Sequence, residues 1–519
     1  MVTMRNGLKW AIPVIAVVAV FGFLGWLGVD SVIGSSSNTS LGSSETPNSS
    51  GSGNGSGEDG SFTYASSPDA SSGTDKSPNS PGIGSDIGAD DEGDSNFTSE
   101  QDEDYILFAP LNRETAYLIN LDGDVVHDWK LSGRPGNAVY LLEGGDLLAT
   151  YTVRGRFNAG GVGGGVELLT WDGEEVWSFE LSNDHAHLHH DVEMLPNGNV
   201  LMIAWEAKTR QETLAAGLTP SELPDSGEVW SEMILEYDPS LDQVVWEWHL
   251  WDHVLPTGWA AEANPGKIDL RFASNRSSPD WWHLNAVDYS EDLDQIVLSS
   301  RAASEFWIID HDLTTAEAAG DAGDLLYRFG NPAAYGGSGE QVLVAQHDAK
   351  FLDDDTILVF DNGDKRARAY SRVVELDLPA YGESSSTRVL PAQIVWQYPL
   401  EEGGDTAFFA DHISGAQRLE NGNTLVCSGV EGRFFEVTPT GETVWEYVNP
   451  FTSVGRDGRE SNEVFRALAY SAEYIGQSLA SLASPQETPN VAVGDFLLGR
   501  CPRRGGFFLA AGESEHRIG

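Results

Sequence analysis

The sequence predicts an all-β fold, a six-bladed β-propeller preceded by a transmembrane helix and a disordered linker. Three observations carry this reading. A short strand signature rich in aromatics recurs six times, a hairpin signature recurs between its copies, and a single uncharged apolar run stands at the N-terminus ahead of a stretch poor in apolar residues.

The apolar run is "WAIPVIAVVAVFGFLGWLGV", Trp10 to Val29, twenty residues without a charge. As a helix it is long enough to cross a hydrocarbon core. Arg5 and Lys9 precede it, and a basic flank holds an N-terminus in the cytoplasm and sends the following chain out. No small-x-small cleavage pattern follows, so an uncleaved anchor is expected ahead of a removed signal peptide. Residues 1–29 are therefore read as cytoplasmic tip and anchor, with the propeller on the extracytoplasmic side. Residues 30–104 are mostly Ser, Gly, Asp and Asn, too poor in apolar side chains to offset the entropy of ordering, and are read as an acidic disordered tether. The folded part is expected over 105–519.

Within it, the aromatic strand reads "GDVVHDW" at 123, "GEEVWSF" at 173, "DQVVWEW" at 242, "GDLLYRF" at 323, "AQIVWQY" at 392 and "GETVWEY" at 441. Its period of two is that of a strand with one face on a core. The hairpin reads "LLEGGDLLAT" at 141, "MLPNGNVLMI" at 194, "YSEDLDQIVLSS" at 289, "FLDDDTILVF" at 351 and "RLENGNTLVC" at 418. Asn-Gly and related pairs supply the positive φ angles of tight hairpin turns. Radial repetition of small antiparallel sheets leaves only short, protected edges. Tandem immunoglobulin-like domains fit the irregular spacing poorly. Two insertions, Glu206 to Ser226 and Trp251 to Asp280, are expected to cover one mouth of the channel. The tail "NEVFRALAYSAEYIGQSLASLA", Asn462 to Ala483, predicts a short amphipathic helix on the barrel edge.

The histidines fall at matched places. His190 and His347 each lie seven residues before a hairpin turn, at Asn197 and Asp354; His412 and His283 lie nine before, at Asn421 and Asp292. One bulge absorbs the difference. If these hairpins begin with the innermost blade strands, four histidines from four consecutive blades converge at one end of the channel, and Asn137 lies near the slot in the first blade. Each alone reads equally well as a core or capping histidine; the shared position favours a common site. Arg301 closes the strand that pairs with the one begun at His283, and its guanidinium offers a planar fork to an oxyanion. Arg154, Arg156, Lys365 and Arg366 are weaker candidates. In "NDHAHLHHDVE", alternation sets His185, His187 and His189 on one face and His190 on the other. Asp191 and Asp348 are placed to accept a second ring N–H or to face solvent. The crowding of histidines in this stretch leaves a zinc or copper site open as an alternative, although no His-Glu-x-x-His motif or cysteine cluster calls for a metal; no cofactor is expected.

A formal net charge of −50 argues against nucleic acid or an anionic membrane surface as partner, and makes a cluster of His and Arg a local positive pocket. Cys427 and Cys501 are the only cysteines, paired or inert.

Together "HHDVEMLPNGNVLM", "DWWHLNAVDYSEDLDQIVLSSR", "AQHDAKFLDDDTILVFDNG" and "DHISGAQRLENGNTLV" resemble the bacterial-type arylsulfotransferases, which use no nucleotide sulfate donor. The resemblance runs from about Tyr105 to Phe451. It implies a six-bladed propeller that moves a sulfuryl group from one phenolic ester to another phenol, with His347 as the nucleophile that becomes sulfated. It also implies that His283 and Arg301 hold the sulfuryl oxygens and that His190 is a further sulfate-binding histidine. His412 is added from the repeat, and Trp282, with Trp281 and Phe409, as a surface for the phenols. The implied partners are small-molecule aryl sulfates and phenols. Family members carry a small β-domain ahead of the propeller where this chain has an anchor and tether. Two alternatives stand beside this reading: a metal-dependent hydrolase or lyase on a propeller, and a non-catalytic cell-surface binding propeller.

Overall fold

The computed structural model describes residues 104–479, apart from 383, 402–407, 455–457, 459 and 477. The expected anchor, nearly all of the tether and Cys501 lie outside the described residues. Among the described residues no helix is long and apolar enough to cross a membrane.

Six four-stranded antiparallel sheets form the six blades. The six aromatic signatures are their outermost strands: Val125–Lys130, Glu175–Glu180, Gln243–His249, Tyr327–Phe329, Gln393–Tyr398 and Thr443–Val448. The innermost strands of the second to sixth blades are Pro135–Leu141, Ala186–Met194, Leu284–Ser290, His347–Asp353 and Gly415–Arg418. Each innermost strand touches those of both neighbouring blades, and the ring closes.

The recurrent tryptophan has a structural cause. On an outermost strand its indole reaches the turn of the next blade. Trp129 donates to the carbonyl of Thr170, Trp246 to that of Leu313, Trp396 to that of Pro439, and Trp445, in the last blade, to that of Leu121 in the first. For the part-buried Trp129 and Trp246 the bond satisfies a donor that packing would otherwise strand, and these four tryptophans staple one blade to the next.

The first blade differs from the expectation. Its innermost strand is Val464–Ser471, from the far end of the chain, paired antiparallel with Asp104–Pro110 in a register that sets Leu107 opposite Leu468. The helix expected over Asn462 to Ala483 is thus mostly a strand, followed by one helical turn, Ala472–Ile475, capped by Ser471. Alanines gave the segment helix propensity, but the open edge of the first blade offers a full row of backbone partners and burial on both faces, and tertiary pairing overrides a weak propensity. This also accounts for five hairpins against six aromatic strands: in the first blade the two inner strands come from opposite ends of the fold.

Candidate active site at the histidine end of the channel

Five innermost strands leave regular geometry at their leading ends. Non-glycine residues there have positive φ: Asn137 at 117°, His190 at 53°, His283 at 52°, Asp348 at 55° and Ile413 at 47°. The pairing register slips at the same places, between Leu188 and Val192 and between His347 and Lys350, for example. Each such residue costs on the order of 1 kcal/mol and persists only where the surroundings over-determine it. The result is a shared kink that breaks strand alternation at the channel mouth. In the third blade it brings two consecutive rings together, His189 Nδ1 lying 2.8 Å from His190 Nδ1, where simple alternation would send them to opposite faces.

The structure brings His190, His283, His347, His412 and Arg301 into one cluster. The rings of His190 and His283 meet edge to face with centroids 4.7 Å apart. Arg301 is mostly buried, and its backbone N–H bonds to the carbonyl of His283. Its guanidinium crosses to donate to the carbonyl of Asp411 in the sixth blade, at 3.3 Å. Burial, then the charge of Arg301, holds the His347 ring well below the ordinary imidazole range, with His283 and His412 acting the same way. Burial, then His283, does the same to His190.

His347 is 2 % exposed, and its Nδ1 lies 2.8 Å from Asn362 Oδ1. Both amide hydrogens of Asn362 are spent on the carbonyls of Ala410 and Ile413, at 2.8 and 2.9 Å. The amide oxygen therefore faces the ring, Nδ1 carries the proton, and the Nε2 lone pair is left free. His283 is oriented by Asp280, 2.6 Å from its Nδ1. His412, half-exposed, bonds to Asp411. A glycine-rich loop closes over the cluster: a Cβ on Gly161 would sit 1.9 Å from His190 Cε1, and one on Gly160 3.3 Å from His283 Cε1.

Asp191 and Asp348 neither take a histidine N–H nor face solvent. Both are buried against Arg466, at 2.8 and 2.9 Å, and burial's effect on the guanidinium is outweighed by the two carboxylates, so its pKa is raised. Each carboxylate also accepts a backbone N–H from the next blade, Val287 for Asp191 and Ala416 for Asp348. The His-Asp pairs at 190–191 and 347–348 thus divide their work: the histidine enters the mouth and the aspartate ties the ring together beneath it. Arg466 escaped sequence reasoning because it lay in the segment read as a helix. Asn362, in "FDNG", escaped it because an Asn-Gly pair reads first as a turn.

Of the remaining candidates, Asn137 is buried with an amide nitrogen that has no partner among the described residues. Trp282 and Trp281 are 1 % exposed, and Trp282 packs on Trp307 in the blade core. That burial leaves neither ring an exposed face for a phenol. Phe409 is partly exposed, beside Lys365. Arg156 is committed to Glu228. Among the described residues no group of three or more His, Cys, Asp or Glu side chains is placed to hold a metal ion.

A family model described as "Arylsulfotransferase (ASST)" matches residues 165–464. No curated protein matches the chain. Similar solved structures include a protein of unknown function from Bacteroides caccae, 16% identical with a TM-score of 0.41, covering 71% of this chain and 98% of that one. Virginiamycin B lyase from Staphylococcus aureus is another, 11% identical with a TM-score of 0.33, covering 69% and 88%. Likeness at this level carries no argument about function.

Proposed function

The chain belongs to the arylsulfotransferase family, and we propose that it moves a sulfuryl group from an aryl sulfate ester to a phenolic acceptor through a sulfated His347. The observation that carries the reading is the His347–Asn362 pair, which leaves a neutral ring with a free Nε2 lone pair beside Arg301.

In the first half-reaction His347 Nε2 attacks sulfur, the N–S bond forms, and the S–O bond to the aryl group breaks with its electron pair leaving on the phenol oxygen. The ring keeps its Nδ1 proton and takes on positive charge, which the Asn362 carbonyl oxygen meets. In the second half-reaction a phenol oxygen attacks the same sulfur and His347 leaves as the neutral ring. Splitting the transfer gives ping-pong kinetics. As in phosphoryl transfer, charge spreads over three equatorial oxygens while entering and leaving atoms stand in line. Arg301, His283 and His190 surround that position, with donors best placed where charge develops. His412 and Asn137 line the approach. The Arg301 guanidinium also offers an anionic ester a local foothold on a chain of net charge −50. The propeller works outside the cytoplasm, held by residues 10–29; the uncharged run behind Arg5 and Lys9 supports this.

The test is the intact mass of the full-length protein after brief exposure to 4-nitrophenyl sulfate without acceptor. An acid-labile gain of one sulfuryl group, with release of nitrophenol, is expected, and its absence in His347→Asn. No adduct and no nitrophenol across several aryl sulfates would overturn the reading.

A further inference from the structure

Behind the cluster lies a chain of buried groups that sulfuryl transfer at His347 does not itself use. Glu232, on strand Val229–Asp238, is fully buried. Its Oε2 lies 2.8 Å from His189 Nε2, and its Oε1 accepts the backbone N–H of Leu284 at 3.1 Å. The His189 ring is stacked flat on Trp205, 3.9 Å between centroids and 9° between planes, so it is not free to turn. Its other nitrogen meets His190 Nδ1 at 2.8 Å. Two imidazole nitrogens at that distance share one proton between them, and this fixes the rest of the chain in one of two arrangements.

In the first, Glu232 is a carboxylate, His189 carries its proton on Nε2, His190 carries its own on Nδ1, and His190 Nε2 is a bare lone pair. In the second, Glu232 is a carboxylic acid donating to His189 Nε2, His189 donates from Nδ1 to His190 Nδ1, and His190 Nε2 carries a proton. The two differ by one proton, and both rings are neutral in each.

We propose that Glu232 and His189 are positioning residues that make His190 the proton donor and acceptor for the phenol oxygens, with the Glu232 carboxyl as the proton's store. The proposal rests on the sulfuryl-transfer reading above. As the S–O bond breaks, the leaving oxygen takes the proton from His190 Nε2, His189 passes its Nδ1 proton to His190 Nδ1, and Glu232 passes its proton to His189 Nε2. In the second half-reaction the acceptor phenol gives its proton to His190 Nε2, and the sequence runs backwards to Glu232. No proton is gained or lost over the cycle.

The surroundings explain why a chain is used here. Burial, then His283, disfavours an imidazolium at His190, with His189, His347 and Arg466 adding to it. Burial, then His283 and His187, disfavours one at His189. A simple protonated histidine is therefore not available as the acid. Burial, then Asp280 and in lesser part Glu206, raises the Glu232 carboxyl well above its ordinary range, against the bonds it accepts from the Leu284 and His283 amides.

The test is Glu232→Gln, in which the amide oxygen can keep the Leu284 N–H and the amide nitrogen can donate to His189, but no proton can be stored. Two donors are compared: phenyl sulfate, whose phenol needs a proton as it leaves, and 4-nitrophenyl sulfate, whose far more acidic phenol does not. The variant is expected to lose about 100-fold in kcat/KM on phenyl sulfate and less than about tenfold on 4-nitrophenyl sulfate, while still forming the covalent adduct. Equal loss on both donors would overturn the chain. A wild-type protein that forms no adduct would instead overturn the underlying reading. Should Glu232→Gln fail to fold, His189→Gln reads the same difference between donors.

Discussion

Asn362 Oδ1 stands 2.8 Å from His347 Nδ1, and its amide nitrogen is tied to the carbonyls of Ala410 and Ile413. One buried side chain therefore sets the tautomer of the histidine and pins the turn ahead of the sixth blade's inner strand. Asn362→Ala is expected to lower kcat/KM for 4-nitrophenyl sulfate about 100-fold, because the ring can then present a protonated Nε2. It should also destabilise the protein by about 1–3 kcal/mol, because the Ile413 carbonyl loses its side-chain donor and the Ala410 carbonyl keeps only Ser371 Oγ at 3.2 Å. Steady-state kinetics at 25 °C, well below the melting point, separate the two effects. Unchanged kcat/KM would remove Asn362 from the mechanism.

In the proposed mechanism Arg301 meets the sulfuryl oxygens, and its charge, second to burial, also bears on the charge state of His347. The form of His347 proposed to attack is neutral, and its folded pKa lies well below the ordinary value of 6.5 through burial and then Arg301. The neutral ring therefore persists as pH falls through 6.5 and is lost only at lower pH. The kcat/KM profile for the donor should stay flat below pH 6.5 before it declines. Arg301→Gln should lower the plateau about 100-fold or more. It should also move the acid limb upward, since removing a positive neighbour eases protonation. A limb that stays put would mean burial alone sets the pKa.

Gly161 is held at φ 81° with its Cα against the His190 ring, where a Cβ would come within 1.9 Å of Cε1. Gly161→Ala should cost about 1–3 kcal/mol from the backbone conformation alone, and it must also displace His190. Gly173, at φ 79° with open space where a Cβ would stand, supplies the control. Gly173→Ala should lower the melting temperature and keep activity, whereas Gly161→Ala should lose both. Equal activity in the two variants would show that His190 tolerates displacement.

Much of this was legible because a propeller repeats its chemistry. Six aromatic-bearing strands marked the outer edges, where tryptophans such as Trp129 and Trp246 tie to the next blade's turn. The matched spacing of His190, His283, His347 and His412 marked the mouth, since the inner strands of these four blades carry the same kink near their starts. The kink itself was not legible. It rests on non-glycine residues at positive φ, which carry no compositional mark, and it is why His189 meets His190 instead of opposing it. Nor were partners brought together only by folding: Asn362 and Glu232 meet His347 and His189 from elsewhere in the same blade and tie to the next one, and Arg466 spans blades, where local pattern has nothing to say. Trp282 shows the converse, an aromatic next to a site histidine that the core claims.

Arg466 is where closure of the ring and support of the site meet. It sits on the C-terminal strand that completes the first blade, and it is the shared counter-charge for Asp191 and Asp348, each one residue after a site histidine. Arg466→Met would leave the buried carboxylate of Asp191 without a cation and that of Asp348 with Lys350 alone, 3.1 Å away. Breaking such a pair from one side is strongly destabilising, about 3–5 kcal/mol, and the midpoint of urea unfolding should fall accordingly. Adding Asp191→Asn and Asp348→Asn should return much of that loss. The neutral amides still accept the Val287 and Ala416 N–H groups, and neither position then carries a charge that has lost the arginine. If the triple variant is no more stable than Arg466→Met alone, the loss comes from the packing of the arginine in the channel and not from its charge. The first blade would then be closed by its backbone pairing with Asp104–Pro110 and not by the ion pairs beneath the histidines.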